Sequence, residues 1–326
     1  MSVIKSFLGS QLVGPLVALI LVAVAVALTT DRFLDANNLG NIALQVSIVA
    51  LVAIGSTIVI FIGGIDLSPG SAIALLTMVF AVLVKFAGVP FVLAIALVLA
   101  LGAGLGSMNG FLTAYVRIPA FITTLAALSA FRGVAFMFND GSPVFSVSPL
   151  LDPLFYGRLL GVPLPLYYVV VFYALAAALM RYTRLGREIY AVGGNPSAAR
   201  LSGLNVKRVQ FIAFVIAGFM AAVGAILMAA RLNSGSPNYG VGLELQAIAA
   251  AVIGGASLSG GRGNVLCTLI GALTIVIVQN GLNLNAVPTS MQNVTIGLII
   301  LIAVSIDMWR EEIGQRLRRL VTRSKP

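Results

Sequence analysis

Ten mostly apolar stretches of about 15 to 24 residues follow one another along the chain, at 12–29, 42–62, 71–86, 91–115, 118–138, 164–180, 209–230, 244–258, 265–283 and 291–308. A helix rises ~1.5 Å per residue and the hydrocarbon core of a bilayer is ~30 Å thick, so one crossing takes about 20 apolar residues. The spacing predicts an all-α membrane protein, a polytopic bundle of about ten transmembrane helices forming one domain over residues 1–326. A transmembrane barrel would alternate polar and apolar residues with a period of two instead. With 60% hydrophobic and 9% charged residues, the chain does not resemble a water-soluble domain. Glycine recurs inside the apolar stretches, and Gly102, Gly106 and Gly110 form a small-residue stripe of the kind that lets membrane helices approach closely.

Histidine is absent and the one cysteine, Cys267, lies in an apolar stretch. Disulfide frameworks, His/Cys metal clusters and Cys/His catalysis are thereby excluded, and no metal site is expected. The formal net charge of +10 comes from short basic clusters between apolar stretches, so it reads as topology and not as a nucleic-acid surface. Lys5, the apolar run 12–28 and Ala25-Val26-Ala27 imitate a secretion signal with a cleavage site. A retained first helix is the better reading, since its removal would leave an odd number of spans.

An even number of spans puts both termini on one side. With the termini in the cytoplasm, fifteen of the twenty Lys and Arg residues fall inside: Lys5, Arg117, Arg181, Arg184, Arg187, Arg200, Lys207, Arg208, Arg262 and six in the tail 310–326. Arg32, Lys85, Arg132, Arg158 and Arg231 fall outside, and the positive-inside rule selects this orientation. The short eighth span could instead be re-entrant, which would change the count. An external loop at 139–163, with four prolines, is expected to be turn-rich or to hold short helices.

The longest internal connection, 182–208, carries its own helix signals. Gly193 and Gly194 break the chain, Asn195 can cap a helix, Pro196 suits the first helical position, and Gly203 can end the helix after about two turns. A solvated connector has no use for Ala198, Ala199 and Leu201, whereas a partner with a groove does. Arg200 and Ser202 lie in the same turn.

Two segments share a pattern: Gly63-Gly64-x-x-Leu67-Ser68-x-Gly70 and Gly254-Gly255-x-x-Leu258-Ser259-x-Gly261. They suggest a weak parallel repeat, read either as tight turns or as helix breaks lining a cavity. Asp66 within the first is an ionisable group near membrane depth, suited either to anchoring a helix start or to binding a proton or solute. Polar residues inside spans that could match a solute's hydroxyls are Gln45, Ser47, Ser56, Asn109, Thr123, Thr124 and Asn280, with Phe121 as aromatic surface.

The stretch from Gly186 to Leu204, Gly-Arg-Glu-Ile-Tyr-Ala-Val-Gly-Gly-Asn-Pro-Ser-Ala-Ala-Arg-Leu-Ser-Gly-Leu, resembles the cytoplasmic signature of bacterial monosaccharide ABC-importer permeases of the ribose/xylose/galactofuranose type. Four further segments match that family in order: 63–71, Ile118 to Leu125 followed by Arg132-Gly133, 254–263, and Gln279 to Leu284. Pro69 departs from the small apolar residue usual there. The resemblance implies a permease fold of the ABC-importer type in the bacterial inner membrane. It also implies a dimer with a second permease copy or paralogue, a cytoplasmic ABC ATPase on the 195–203 helix, and a periplasmic sugar-binding protein. ATP and magnesium would then be bound by the ATPase, with no cofactor in this chain and no nucleic acid as partner. Arg200 would contact either the ATPase or lipid phosphates. The residues agree with that division of labour: Lys5, Lys85, Lys207 and Lys325 follow Ile, Val, Val and Ser, so none sits in a Gly-Lys phosphate-binding loop. The competing class is an ion-coupled secondary transporter using Asp66 or Glu244. A membrane enzyme fits worst, for want of histidine and of a paired acid beside a nucleophile.

Overall fold

The computed structural model describes residues 12–305. Lys5, the end of the tenth stretch at 306–308 and the tail 310–326 lie outside the described residues. The rest is mostly helical: α1 (Val13–Thr29), α2 (Ala36–Phe61), α3 (Pro69–Lys85), α4 (Phe91–Ala114), α5 (Ala120–Met137), α6 (Leu151–Tyr156), α7 (Leu164–Tyr182), α8 (Arg184–Gly194), α9 (Pro196–Leu201), α10 (Val206–Leu232), α11 (Leu243–Ile253), α12 (Val265–Leu284) and α13 (Thr289–Ser305). Six of these, α2, α4, α5 with its 3-10 continuation, α7, α10 and α12, are long and apolar enough to cross a membrane. The shorter apolar helices α1, α3, α11 and α13 fall on the four remaining stretches.

Proline sets several starts. Pro90, Pro119 and Pro163 immediately precede α4, α5 and α7, each extended at ψ 135 to 136°, where a ring-fixed φ and a missing N–H cost nothing. Pro69 opens α3 directly as its first residue, where its fixed φ and missing N–H are tolerated.

The centre of the bundle is α2, apolar on every face and buried throughout its second half, with Leu51, Ile54, Ile58 and Phe61 sealed from solvent. Against it runs α10, held close because Gly55 would place a Cβ 2.8 Å from the Ala217 Cα. On its other side α10 meets α4 through the stripe anticipated above. A Cβ on Gly102 would lie 2.7 Å from the Gly218 carbonyl oxygen, one on Gly106 would collide with the Phe214 carbonyl, and one on Gly110 would lie 2.9 Å from the Phe211 carbonyl. Lipid tails are as apolar as leucine, so close backbone approach and dispersion hold such helices together.

The segment 138–163 is made of short elements. It has a 3-10 turn at Phe138–Gly141, strand β1 (Val144–Phe145), α6, and the hairpin β2 (Arg158–Leu159) and β3 (Val162–Pro163). β1 pairs antiparallel with β4 (Ser234–Gly235), and Tyr156 Oη donates to the Arg231 carbonyl at 2.9 Å, which fixes the loop to the end of α10.

The eighth apolar stretch differs from a full span. α11 has 11 residues, about 16 Å of helix against ~30 Å of hydrocarbon. Ahead of it, 233–242 is non-helical and runs alongside α3. Gly235 lies against the Thr77 carbonyl and Gly240 against Gly70, a descent of seven residues or about 10 Å along that helix. α11 therefore starts level with the first turn of α3. The apolar pattern alone could not separate a half-helix with an extended lead from a short span.

Exchanging Gly106 for Ala inserts a methyl where the α10 backbone already stands, whereas Gly104 on the same helix has nothing within 4 Å of its would-be Cβ. Gly106→Ala is expected to lower stability by about 1–3 kcal/mol, and Gly104→Ala to leave it level or raise it. Thermal unfolding of the purified protein in detergent reads both; equal melting temperatures would contradict this packing.

Candidate functional site

Thr183 opens the 182–208 connection: its side-chain oxygen accepts from Gly186 N and caps α8, a helix ahead of the one expected at 195–203. α8 is amphipathic, with Ile189 and Val192 buried and Arg184, Arg187 and Glu188 on the other face, Arg184 pairing with Glu188 at 2.7 Å. Gly193 and Gly194 are its last two residues. Asn195 then caps α9, its Oδ1 accepting from Ala198 N at 2.9 Å, Pro196 is the first helical residue, and Gly203 at φ 82° turns the chain away. Ala198, Arg200, Leu201 and Ser202 are exposed, Leu201 at 90%. Ala199, at 5%, faces back into the protein and is not part of the displayed surface.

The end of α8 meets both glycine motifs at one point. The Phe61 carbonyl oxygen, last in α2, accepts from Gly261 N at 2.9 Å. A Cβ on Gly193 would strike that same carbonyl and lie 2.6 Å from Gly261 N, and one on Gly260 would lie 2.9 Å from the Gly63 Cα and 2.8 Å from the Gly193 carbonyl oxygen. Three backbones thus touch where no side chain fits. Tyr190 closes the junction: its ring lies 5.0 Å from that of Phe61, and its hydroxyl donates to the Gly263 carbonyl at 2.9 Å. Burial raises the Tyr190 phenol above its ordinary pKa, so it remains a donor. The repeat suggested by sequence is not kept in conformation. Gly63 has positive φ in the first motif and Gly255 in the second, while Gly70 sits in a helix and Gly261 in a loop. Gly64 and Gly254 are buried, Gly254 against the Cys267 backbone, and Ser259 is exposed.

Between α2 and α3 the chain is non-helical and Asp66 is buried. Asp66 Oδ1 accepts from Ser68 N at 2.9 Å and from Ser68 Oγ at 2.6 Å, a turn that sets the start of α3. Asn109 of α4 donates to Ser68 Oγ at 2.9 Å, and Thr124 of α5 donates to the Ile65 carbonyl at 3.1 Å. Asn109 Oδ1 is buried with no protein partner; Asn109 and Asp66 both line a cavity of about 10 Å³, room for about one water. These residues tie α3, α4 and α5 to the break. Thr123 is buried with an unpartnered hydroxyl, whereas Phe121 is 51% exposed on the surface of α5. Asn280 stands apart. It exchanges two amide hydrogen bonds with Asn38, at 3.0 and 2.7 Å, which join α12 to α2 at the opposite end of the bundle.

Sequence reasoning missed Arg132, a lone cation inside an apolar stretch, which is the signal that could have found it. Its Nη1 donates to the Pro237 and Tyr239 carbonyls at 2.6 and 2.7 Å, holding the lead of α11 against α5. Glu244, within its electrostatic reach, lies directly over Gly70 in the first turn of α3, where the helix dipole favours negative charge.

Residues 38–304 match the family described as branched-chain amino acid transport system, permease component. Among curated proteins the chain is similar to the ribose import permease protein RbsC of Escherichia coli strain K12, 43% identical over 296 residues covering 90% of this chain and 92% of that one. It is similar also to RbsC of Bacillus subtilis strain 168, 40% identical over 299 residues (91% and 92%), and to the D-allose transport system permease protein AlsC of E. coli K12, 37% identical over 288 residues (88% of each). No solved structure matches it.

Asp66→Asn keeps an oxygen acceptor for Ser68, whereas Asp66→Ala leaves the buried Ser68 N–H without one. Thermal unfolding is expected to place the Ala variant about 1–3 kcal/mol below the Asn variant. Equal losses in the two would mean that the carboxylate's charge, and not its turn, matters.

Proposed function

This chain belongs to the family of permease components of branched-chain amino acid transport systems, and on that premise we propose that it is the membrane subunit of an ABC importer that carries a monosaccharide inward. Support for the sugar comes from the ribose and allose relatives, which align over nearly their whole length. In this reading the four shorter apolar helices complete a bundle of ten membrane helices, α11 entering as a half-span, and both termini face the cytoplasm. The protein lies in the bacterial inner membrane as a dimer with a second copy or paralogue, surrounded by lipid. A periplasmic binding protein delivers the solute, and a separate ATPase binds ATP and magnesium. The permease itself is not an enzyme.

The observation that carries the mechanism is the three-backbone contact among Gly193, Phe61 and Gly260-Gly261. Leu201, Ala198 and Arg200 present a small apolar and cationic surface to a groove on the ATPase. When nucleotide draws two ATPases together, α9 moves with them, and α8 transmits that movement to the end of α2 and to the loop between α11 and α12. Nothing compressible lies between, since the contact is backbone on backbone. Nucleotide thereby biases an equilibrium between inward- and outward-open arrangements. The polar groups at the 62–68 break, Asp66, Ser68, Asn109 and Thr124, hold the moving pieces in register. An importer whose selectivity resides in its binding protein needs no tight site of its own.

Two variants separate docking from transmission. Leu201→Asp places a charge on the exposed apolar knob and is expected to cut ATPase retained on co-purification by about tenfold, equivalent to ~1.4 kcal/mol. Gly193→Ala keeps the docking surface and is expected to retain the ATPase while ATP-driven sugar uptake in proteoliposomes is lost. Gly194→Ala, with open space at its Cβ, serves as the neutral control. Uptake driven by an ion gradient with no ATPase present would overturn the importer reading.

A further inference from the structure

At the end of the bundle away from α8 and α9 lies a cavity of about 210 Å³. Gln45 is 16 residues from Phe61 along α2, about 24 Å from the junction. The polar lining is Gln45 of α2, Arg231 of α10, Gln246 of α11 and Gln279 of α12, four side chains from four helices. All are half-buried, and among the described residues none of these side chains has a hydrogen-bond partner. Ile48 and Val276 supply an apolar floor. Four half-exposed polar side chains converging on one cavity present donors and acceptors that a polar solute can take over from water.

The chemistry narrows what that is. Each amide offers one acceptor and two donors, so three amides and a guanidinium match a ring of hydroxyls, each of which both donates and accepts. No carboxylate lines the cavity, so a cation or the ammonium of an amino acid would find no partner there. The volume is below the ~300–1,000 Å³ of sites for drug-sized ligands, which selects a small neutral solute. One wall is Gly240, Val241 and Leu243, the lead into α11, whose far end runs through 254–264 to the junction with α8. Movement of α11 therefore reshapes this cavity.

We propose that this cavity is a monosaccharide-binding site in the permease itself, occupied transiently on the delivery side and emptied when α11 shifts. The inference rests on the importer function proposed above, and its test separates the two. The full importer, with its ATPase and binding protein, is reconstituted and first assayed for ATP-driven uptake of D-ribose, D-xylose and D-allose. Uptake of none of the three overturns the function, independently of the cavity. For the transported sugar, Gln246→Cys is labelled from outside with a membrane-impermeant maleimide, the one native cysteine, Cys267, being buried. Millimolar sugar is expected to slow labelling at least threefold, while leucine at equal concentration leaves it unchanged. Co-purification with the ATPase reports assembly, and Gln45→Cys takes the place of a variant that fails it. Labelling at one rate with and without sugar, or none from outside, overturns the site. Gln279→Leu is expected to lower maximal uptake at least fivefold while the ATPase remains bound, and unchanged uptake would likewise overturn it.

Discussion

The hydrogen bond from Gly261 N to the Phe61 carbonyl oxygen joins residues 200 positions apart and holds together one end of the bundle. A carbonyl at a helix C-terminus has no partner within the helix, and in an apolar setting it must find one elsewhere. Here the partner is a loop that can come close enough only because Gly260, Gly261 and Gly193 carry no side chains. Positive φ at Gly63, Gly260 and Gly261 fits the same requirement, since an L side chain would resist both the conformation and the contact. α8, α2 and the α11–α12 connection form one solid joint for this reason.

Non-helical backbone inside the bundle follows the same rule at two more places. The 62–68 break is satisfied by side chains: the Ser68 N–H by Asp66 and the Ile65 carbonyl by Thr124. The 233–242 lead is satisfied by Arg132, whose one nitrogen serves two carbonyls, and by the pairing of β4 with β1. Each break is thus held by a different helix from those it interrupts, and this couples neighbours that would otherwise only pack.

Hydropathy made the helices legible because each apolar stretch must match a fixed thickness, and the cap of α9 was legible because Asn195, Pro196 and Gly203 act locally. Contacts across the chain were not. The Gly-Gly motifs suggested a repeat, yet what they share is a meeting place: Gly63 touches Gly260, while the matched positions Gly63 and Gly254 differ in the sign of φ. Ala199 looked like a docking anchor by composition, but one turn of helix rotates it inward and leaves Leu201 outside. Asn280 looked like a pathway residue and proves to be one half of a paired-amide clasp with Asn38. Gln246, Gln279 and Arg231 gain meaning only once four helices bring them to Gln45.

The separation of Phe61 from Gly261 also bears on how the protein is made. Chains grow at about 5–20 residues per second, so about 10–40 s pass between synthesis of the carbonyl and synthesis of its partner. During that interval the end of α2 is a completed helix with an open socket, and α8 is built before the loop that will lock it. The joint closes with its last-made piece, so a chain arrested before Gly261 would hold most of its helices without the bond that locks this end of the bundle.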